Sequence, residues 1–212
     1  MEKADLEKLV PIVKKHNLIV FSDEIYGELS YNGLKFTSIA SFGGMRERTI
    51  VISGFSKYFA MTGWRLGYVC APKEIIDVIY KIHQYAIMCA STAAQYVALE
   101  ALNSSFKDDF KEVHMMRDEY DKRRRYLVDR LTAMGLSCFE PRGAFYVFPC
   151  VKSTGMDGEK FAYALLDAKN VAVVPGGAFG QSGKDFVRIS YAYSMDIIKR
   201  ALDLIEEFLN NK

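Results

Sequence analysis

The chain has 212 residues, of which 50% are hydrophobic and 25% charged, and its formal net charge at pH 7 is +2. This composition excludes a disordered or fibrous chain and allows one substantial core or two modest ones. The small net charge gives no indication of a nucleic-acid or membrane partner, so we expect neither. The basic run Lys122–Arg125 is interpreted as the solvated face of a helix.

Cysteine and histidine usage indicates neither disulfides nor a metal site. The four cysteines form no C-x-x-C pair, and the three histidines show no metal-ligand spacing with them. The first residues, Met1–Glu7, are too charged for a signal peptide, and no apolar run approaches the length of a membrane span. We therefore expect reduced thiols, no bound metal and a cytoplasmic protein.

The first predicted elements are a helix and a buried strand. The helix ends near His16, and Pro11 would kink it or start its best-formed part. The run Leu18–Phe21 is typical of a strand covered on both faces in a parallel sheet, and Ser22–Tyr26 follows it directly. Asp23 alone would be interpreted as a cap or an Asx turn after the strand.

Two further strands flank a short segment that carries a lysine and an arginine. After a long connection, residues 27–48, the β-branched run at 49–53 predicts a strand, and residues 66–70 predict another. The connection between these two is too short for a helical crossover, so we expect them to be antiparallel. The strands at 18–22 and 49–53 are expected to be parallel, with Asp23 and Lys57 at their carboxyl ends, where open α/β sheets bind ligands.

Lys57 and Arg65 suit covalent chemistry on a phosphorylated aldehyde. A lysine amine in a desolvated setting can form a Schiff base with a carbonyl compound, and guanidinium offers a planar fork of donors to phosphate. This pairing indicates pyridoxal phosphate, although an ordinary loop lysine is the simpler alternative for Lys57 alone.

The rest of the chain predicts helices and then a small α+β unit. Helical periodicity begins at Pro72 and again before residues 103–105, and a long third helix ends at Gly135; their apolar stripes are interpreted as core. Strands are then predicted at 137–139, 144–148, 171–174 and 186–190, with helices at about 157–169 and at the C-terminus. We place one domain at 1–105 and a second at 106–212.

The segments Gly54–Lys57 and Ala60–Gly67 resemble the cofactor-lysine signature of the class I and II aminotransferases, which are fold type I pyridoxal-phosphate enzymes. The aspartate and aromatic branch is the most similar. The resemblance extends to Ser22–Tyr26 and to phrases at 141–148, 174–180 and 186–192. It implies an α/β fold: the later part of the family's large-domain mixed sheet, followed by a small α+β C-terminal domain.

The resemblance also implies roles for individual residues. Lys57 would be the catalytic lysine that holds pyridoxal 5'-phosphate, Asp23 would pair with its ring nitrogen, Tyr26 would bind its phenolic oxygen, and Arg65 its phosphate. Gly54 stands where relatives often have a serine that contacts phosphate, so Ser56, or Ser53, is the candidate to replace it.

Arg188 would hold the substrate carboxylate, because guanidinium makes two parallel hydrogen bonds to a carboxylate. An edge-strand arginine that reaches solvent is the simpler alternative. A phosphate-loop interpretation of the glycines at 176–183 is excluded, since Ala178 and Asp185 stand where that motif needs glycine and serine or threonine.

The implied activity is amino-group transfer between an L-amino acid and a 2-oxo acid, by a protein that is usually a homodimer. The resemblance covers the C-terminal portion of a family member, so we expect strands without neighbours, exposed apolar surface and an inactive isolated chain. Two alternatives stay open: a pyridoxal-phosphate C–S lyase on the same scaffold, and an aminotransferase-like sensor domain of a DNA-binding regulator.

Overall fold

The structure is a computed structural model that describes residues 1–211. The chain divides into two compact units, Met1–Arg117 and Asp118–Lys212. This division falls inside a long helix, whereas the sequence places the domain boundary between residues 105 and 106, which stays a prediction.

The first unit combines a three-stranded sheet with helices. Its elements are α1 (Lys3–Lys15), β1 (Val20–Asp23), β2 (Thr49–Gly54), β3 (Gly67–Cys70), α2 (Lys73–Ile87), α3 (Thr92–Lys107) and the start of α4 (Lys111–Ala133). The strand order is β1-β2-β3. As predicted, β1 and β2 are parallel, and β2 and β3, whose connection is too short for a helical crossover, are antiparallel.

Two apolar clusters support this sheet. On one side, Leu6 and Val13 of α1 pack with Ile39 and Met45 of the long connection, and Pro11 lies inside the helix without ending it. The second cluster joins Phe55, Met61 and Leu66 to Ala94 and Ala98 of α3. The residues around Lys57 are therefore anchored on α3 by buried apolar contacts.

The apolar stripe of α2 was wrongly interpreted as core. No residue of α2 is buried in the first unit, and Val78 and Ile82 are 56% and 66% exposed. Phe21 on β1 is 70% exposed, as expected for strands without neighbours. Helical periodicity specifies which face is apolar but not what covers that face, so the sequence pattern alone could not place this stripe.

The second unit is a small α+β structure. It contains the rest of α4, then β4 (Tyr146–Val147), α5 (Gly158–Lys169), β5 (Val174–Pro175), β6 (Val187–Ser190) and α6 (Met195–Asn210). Its sheet is antiparallel with the order β4-β6-β5. Gly135, with φ +80°, follows the end of α4 and provides the predicted stop.

Three predicted strands of this unit are wrong or shorter than predicted, and for the strand predicted at 144–148 only the two residues of β4 are observed. In the segment 137–139, Cys138 makes a single bridge to Pro149, and of 171–174 only Val174 belongs to β5. Pro149 has no N–H to extend the ladder. Residues Val171–Val173 instead run along an open groove of about 760 Å³ that α6 also lines.

The basic run on α4 also differs from the prediction, because Arg124 is buried. Its guanidinium is 1% exposed and pairs with Asp121 and Glu140, both at 2.7 Å. Burial lowers the pKa of this guanidinium, but the hydrogen bonds to Glu140 and Asp121 outweigh it and hold the pKa above its usual value. Arg124 therefore stays charged and fixes α4 to the loop at Glu140.

Within residues 1–211, no helix combines the length and the apolar character needed to cross a bilayer.

Truncation of an apolar side chain of α6 should cost more stability on its buried face than on its exposed face. Leu202 is 1% exposed, whereas Ile197 on the same helix is 55% exposed. We expect Leu202→Ala to lower the free energy of unfolding by about 2–5 kcal/mol, because it leaves a cavity. Ile197→Ala should cost less than about 1 kcal/mol. Denaturant unfolding of both variants measures the difference, and equal losses would contradict this packing of α6.

Candidate active site

The candidate site begins where β1 and β2 end side by side. Asp23 is the register partner of Ile52, and the backbone N–H of Glu24 donates to the Ile52 carbonyl at 2.8 Å. Because the two strands are parallel, Tyr26 and Lys57 leave the same edge of the sheet. Lys57 Nζ lies 5.7 Å from the centroid of the Tyr26 ring. The structure thus brings together two of the residues that the sequence predicts at the site.

Lys57 lies in a compact turn between β2 and β3. The Phe55 carbonyl accepts from the backbone N–H groups of Phe59 and Met61, at 3.3 and 3.4 Å, and the Phe55 N–H donates to the Leu66 carbonyl. Ala60 has φ +52°, a left-handed conformation that is uncommon for a residue with a side chain. The turn is therefore closed on itself, and the lysine side chain projects from a fixed backbone.

The base of this turn requires glycine at position 54. A Cβ atom on Gly54 would lie 2.9 Å from both Gly67 Cα and the Leu66 carbonyl oxygen, which are backbone atoms that cannot move aside cheaply. A serine at position 54 would meet the same backbone. The close approach of the two strands therefore favours glycine at this position in this chain.

The carboxylate of Asp23 is exposed at the end of β1. Its Oδ1 accepts from the backbone N–H of Ile25 at 3.1 Å, which is the Asx turn expected for a lone aspartate at this place. Oδ2 has no hydrogen-bond partner within the described residues. The Asx turn and a ligand contact are therefore compatible, because one oxygen fixes the side chain while the other stays accessible.

Arg65 ends the short helical turn Thr62–Trp64 and has left-handed backbone angles, φ 52° and ψ 47°. Its Nη1 donates to the Thr62 carbonyl at 2.7 Å, and the side chain is exposed. A non-glycine residue in this conformation carries strain of the kind that clusters at functional sites. Ser56 is half-buried, and its hydroxyl makes no hydrogen bond within residues 1–211.

Arg188 belongs to the second unit, where it lies on β6, the central strand. Its guanidinium carbon lies 4.4 Å from the Tyr146 ring centroid and 4.6 Å from that of Phe179, so the side chain is stacked between two rings. No carboxylate pairs with it in the described part of the chain. Arg188 and Tyr146 also line the groove along α6. Two aromatic rings therefore lie close to a guanidinium that has no carboxylate partner among the described residues.

Comparison with known proteins decides the family. The family model described as "Aminotransferase class I and II" matches residues 1–205. The chain belongs to this family.

Solved and curated relatives agree with this assignment. A putative aminotransferase, YugH, of Bacillus subtilis is 50% identical over 98% of this chain and 53% of its own length. An aspartate aminotransferase of Pyrococcus abyssi is 46% identical over 100% of this chain and 54% of its own length. The crystal structure of an aromatic aminotransferase from Pyrococcus horikoshii superposes with a TM-score of 0.94 at 46% identity, covering 99% of this chain and 56% of that one.

The solved neighbours have the fold type I aminotransferase architecture, and the present chain is mixed α/β like them. The chain spans about half the length of the curated relatives it matches.

The donors at the β1–β2 edge fit the cofactor that members of the aminotransferase family use, pyridoxal phosphate. An amine suits its aldehyde, a carboxylate its ring nitrogen, a phenol its ring oxygen and a guanidinium its phosphate. Lys57, Asp23, Tyr26 and Arg65 provide this set within the first unit. These four side chains are therefore the candidates to hold the cofactor.

Two features of the site were missed from the sequence. The aromatic stacking of Arg188 could have been anticipated, since Tyr146 opposes Ser190 across the β4–β6 ladder and lies diagonally from Arg188. The hydrogen bond between Ser53 Oγ and the Tyr58 hydroxyl, at 2.7 Å, had no signal in the sequence. Many tyrosines are present, and spacing alone does not say which hydroxyl reaches which strand.

Substitution of Gly54 should disturb the lysine turn without removing any functional group. We expect Gly54→Ala to lower the free energy of unfolding by about 1–3 kcal/mol, because the added methyl group overlaps the backbone of the next strand. Gly63→Ala is the matched control, since a Cβ there meets no atom within 4 Å. Thermal unfolding of both variants measures the effect, and a Gly54→Ala variant as stable as the parent chain would contradict the close strand contact.

Proposed function

We propose that this chain supplies the cofactor-lysine part of a pyridoxal-phosphate-dependent aminotransferase, which transfers an amino group between an L-amino acid and a 2-oxo acid. The observation that carries the proposal is the position of the Lys57 amine over the Tyr26 ring, where β1 and β2 end side by side. The names of the relatives, aspartate and aromatic aminotransferases, favour acidic or aromatic amino acids as donors.

Lys57 is the catalytic residue of this proposal. When bound, pyridoxal phosphate supplies an aldehyde carbon open to amines and a ring that withdraws electrons from a substrate Cα. Lys57 would hold the cofactor through its amine. Once a substrate amine has released it, the same amine would act as the base that takes the proton from the substrate Cα.

Three further residues hold the cofactor. Asp23 Oδ2 keeps a proton at the ring nitrogen, because a negative charge next to a base favours its protonated form. The Tyr26 phenol donates to the ring oxygen, and Arg65 binds the phosphate as a fork of donors. Ser56 is a weaker candidate for a further phosphate contact, since its hydroxyl makes no bond within residues 1–211.

Arg188 orients the substrate by binding its α-carboxylate. Stacking between Tyr146 and Phe179 leaves the guanidinium little rotational freedom, so the two parallel hydrogen bonds to a carboxylate form with a small entropy cost. The absence of a carboxylate partner in the described residues supports this use, because an arginine already paired would not exchange readily.

Our proposal places the chain within a longer protein that acts as a homodimer. The lengths of the relatives support the greater length, and the exposed apolar faces of β1 and α2 are consistent with it. Full turnover would then need the remaining length. Neither alternative, the C–S lyase or the sensor domain, is supported by the relatives described above.

Covalent capture tests the lysine. We expect that incubation of the chain with pyridoxal phosphate, followed by borohydride reduction and peptide mass spectrometry, places most of the label on Lys57. Lys57→Ala should lose that label, whereas the control Lys73→Ala should keep it, because Lys73 is an exposed lysine bound to Asp77. A label spread evenly over surface lysines in the parent chain would contradict the proposal.

Substrate binding tests the arginine in the complete enzyme. We expect Arg188→Lys to raise KM for the amino donor by about ten-fold or more, because lysine cannot form two parallel hydrogen bonds to a carboxylate. Arg200→Lys is the control, since Arg200 lines the same groove but is not stacked between rings. Steady-state kinetics with both variants decides, and an equal effect of the two substitutions would refute this role of Arg188.

A further inference from the structure

The hydroxyl of Tyr58, the residue after Lys57, is hydrogen-bonded back to the sheet. It lies 2.7 Å from Ser53 Oγ, and Ser53 is buried near the end of β2. Ser53 Oγ in turn lies 3.4 Å from the backbone carbonyl of Glu24. Because a carbonyl only accepts, Ser53 donates to it and accepts the O–H of Tyr58.

The position of Glu24 shows which segments this hydrogen-bond chain connects. It directly follows Asp23, and its backbone N–H donates to Ile52 of β2 at 2.8 Å. Tyr26 lies just beyond it. The Tyr58 hydroxyl therefore connects the turn that carries Lys57 to the stretch of backbone that carries both Asp23 and Tyr26.

The other contacts of Tyr58 keep its hydroxyl in the protonated form. Burial raises the pKa of this phenol well above its usual value, and the hydrogen bond to Tyr68 acts in the same direction. The ring packs against Phe59 with the centroids 5.7 Å apart. Removal of the hydroxyl alone would leave the ring contact in place.

We propose that Tyr58 is a positioning residue that acts through Ser53 to hold Lys57 against the Asp23–Tyr26 segment. The inference rests on the proposed function of Lys57. A lysine that would hold the cofactor and then take a proton from the substrate needs a fixed backbone, since misplacement by about 1 Å can cost a large part of the rate. Without the hydroxyl, the turn would keep its backbone hydrogen bonds and its apolar contacts with α3 but lose its link to Glu24.

Hydrogen exchange on the chain without cofactor tests the link itself. We expect Tyr58→Phe to speed exchange of the backbone amides in residues 56–61 by about five-fold, which is the effect of one hydrogen bond of ordinary net strength. Ser53→Ala should give a similar increase, and the double variant should add little to either. Tyr96→Phe, at an exposed tyrosine of α3, is the control. Unchanged exchange in Tyr58→Phe, or an equal increase in the control, would overturn the proposal.

Covalent capture shows whether the link matters to the lysine. In Tyr58→Phe we expect the ratio of pyridoxal phosphate label on Lys57 to label on Lys73, trapped by borohydride, to fall about five-fold. A purely structural role elsewhere would not move this ratio, which is measured within one molecule. A parental ratio in Tyr58→Phe would overturn the positioning role while leaving the proposed function intact. An unlabelled Lys57 in the parent chain would instead refute the proposed function, and the inference would fall with it.

Discussion

The parallel pairing of β1 with β2 is the interaction on which the candidate site depends. Parallel strands end at the same edge of a sheet, so the register that places Asp23 opposite Ile52 also brings together the residues that follow the two strands. A shift of one residue in this register would turn every side chain of β1 to the opposite face. Leu6 and Val13 of α1 pack against Ile39 and Met45 of the long connection that joins these two strands. The chemistry at the edge thus depends on buried contacts elsewhere in the unit.

Much of this edge could be predicted from the sequence because its signals are local. A β-branched run indicates a strand, and the short connection to the next strand excludes a helical crossover, so the antiparallel direction of β2 and β3 followed without a structure. The helix stop at Gly135 is a signal of the same kind. In each case a few adjacent residues restrict the backbone, and nothing distant needs to be known.

The features that sequence reasoning missed all depend on what lies next to a residue in space. The apolar stripe of α2 has the period of a core helix, yet its residues are exposed or half-buried, since its covering is specified by other parts of a chain. Arg124 belongs to a basic run, yet its side chain is buried and pairs with two carboxylates, those of Asp121 and of Glu140 on a loop after α4. The partner of Tyr58 could not be found for the same reason. Periodicity identifies which residues share a face, whereas the tertiary fold determines what packs against that face.

The exposed apolar faces and the lysine turn differ in how far their contacts are made within this chain. Phe21 and Ile82 contact little in this chain, and exposed apolar surface on this scale marks a surface that another polypeptide segment covers. The turn around Lys57, in contrast, is complete without further residues: Gly54 packs on Gly67, Phe55 on α3, and the Phe55 carbonyl accepts two backbone hydrogen bonds. Fixing that backbone leaves only the lysine side chain to move. This division suits the proton transfer proposed for Lys57, because the amine can move a short distance while its attachment point stays still.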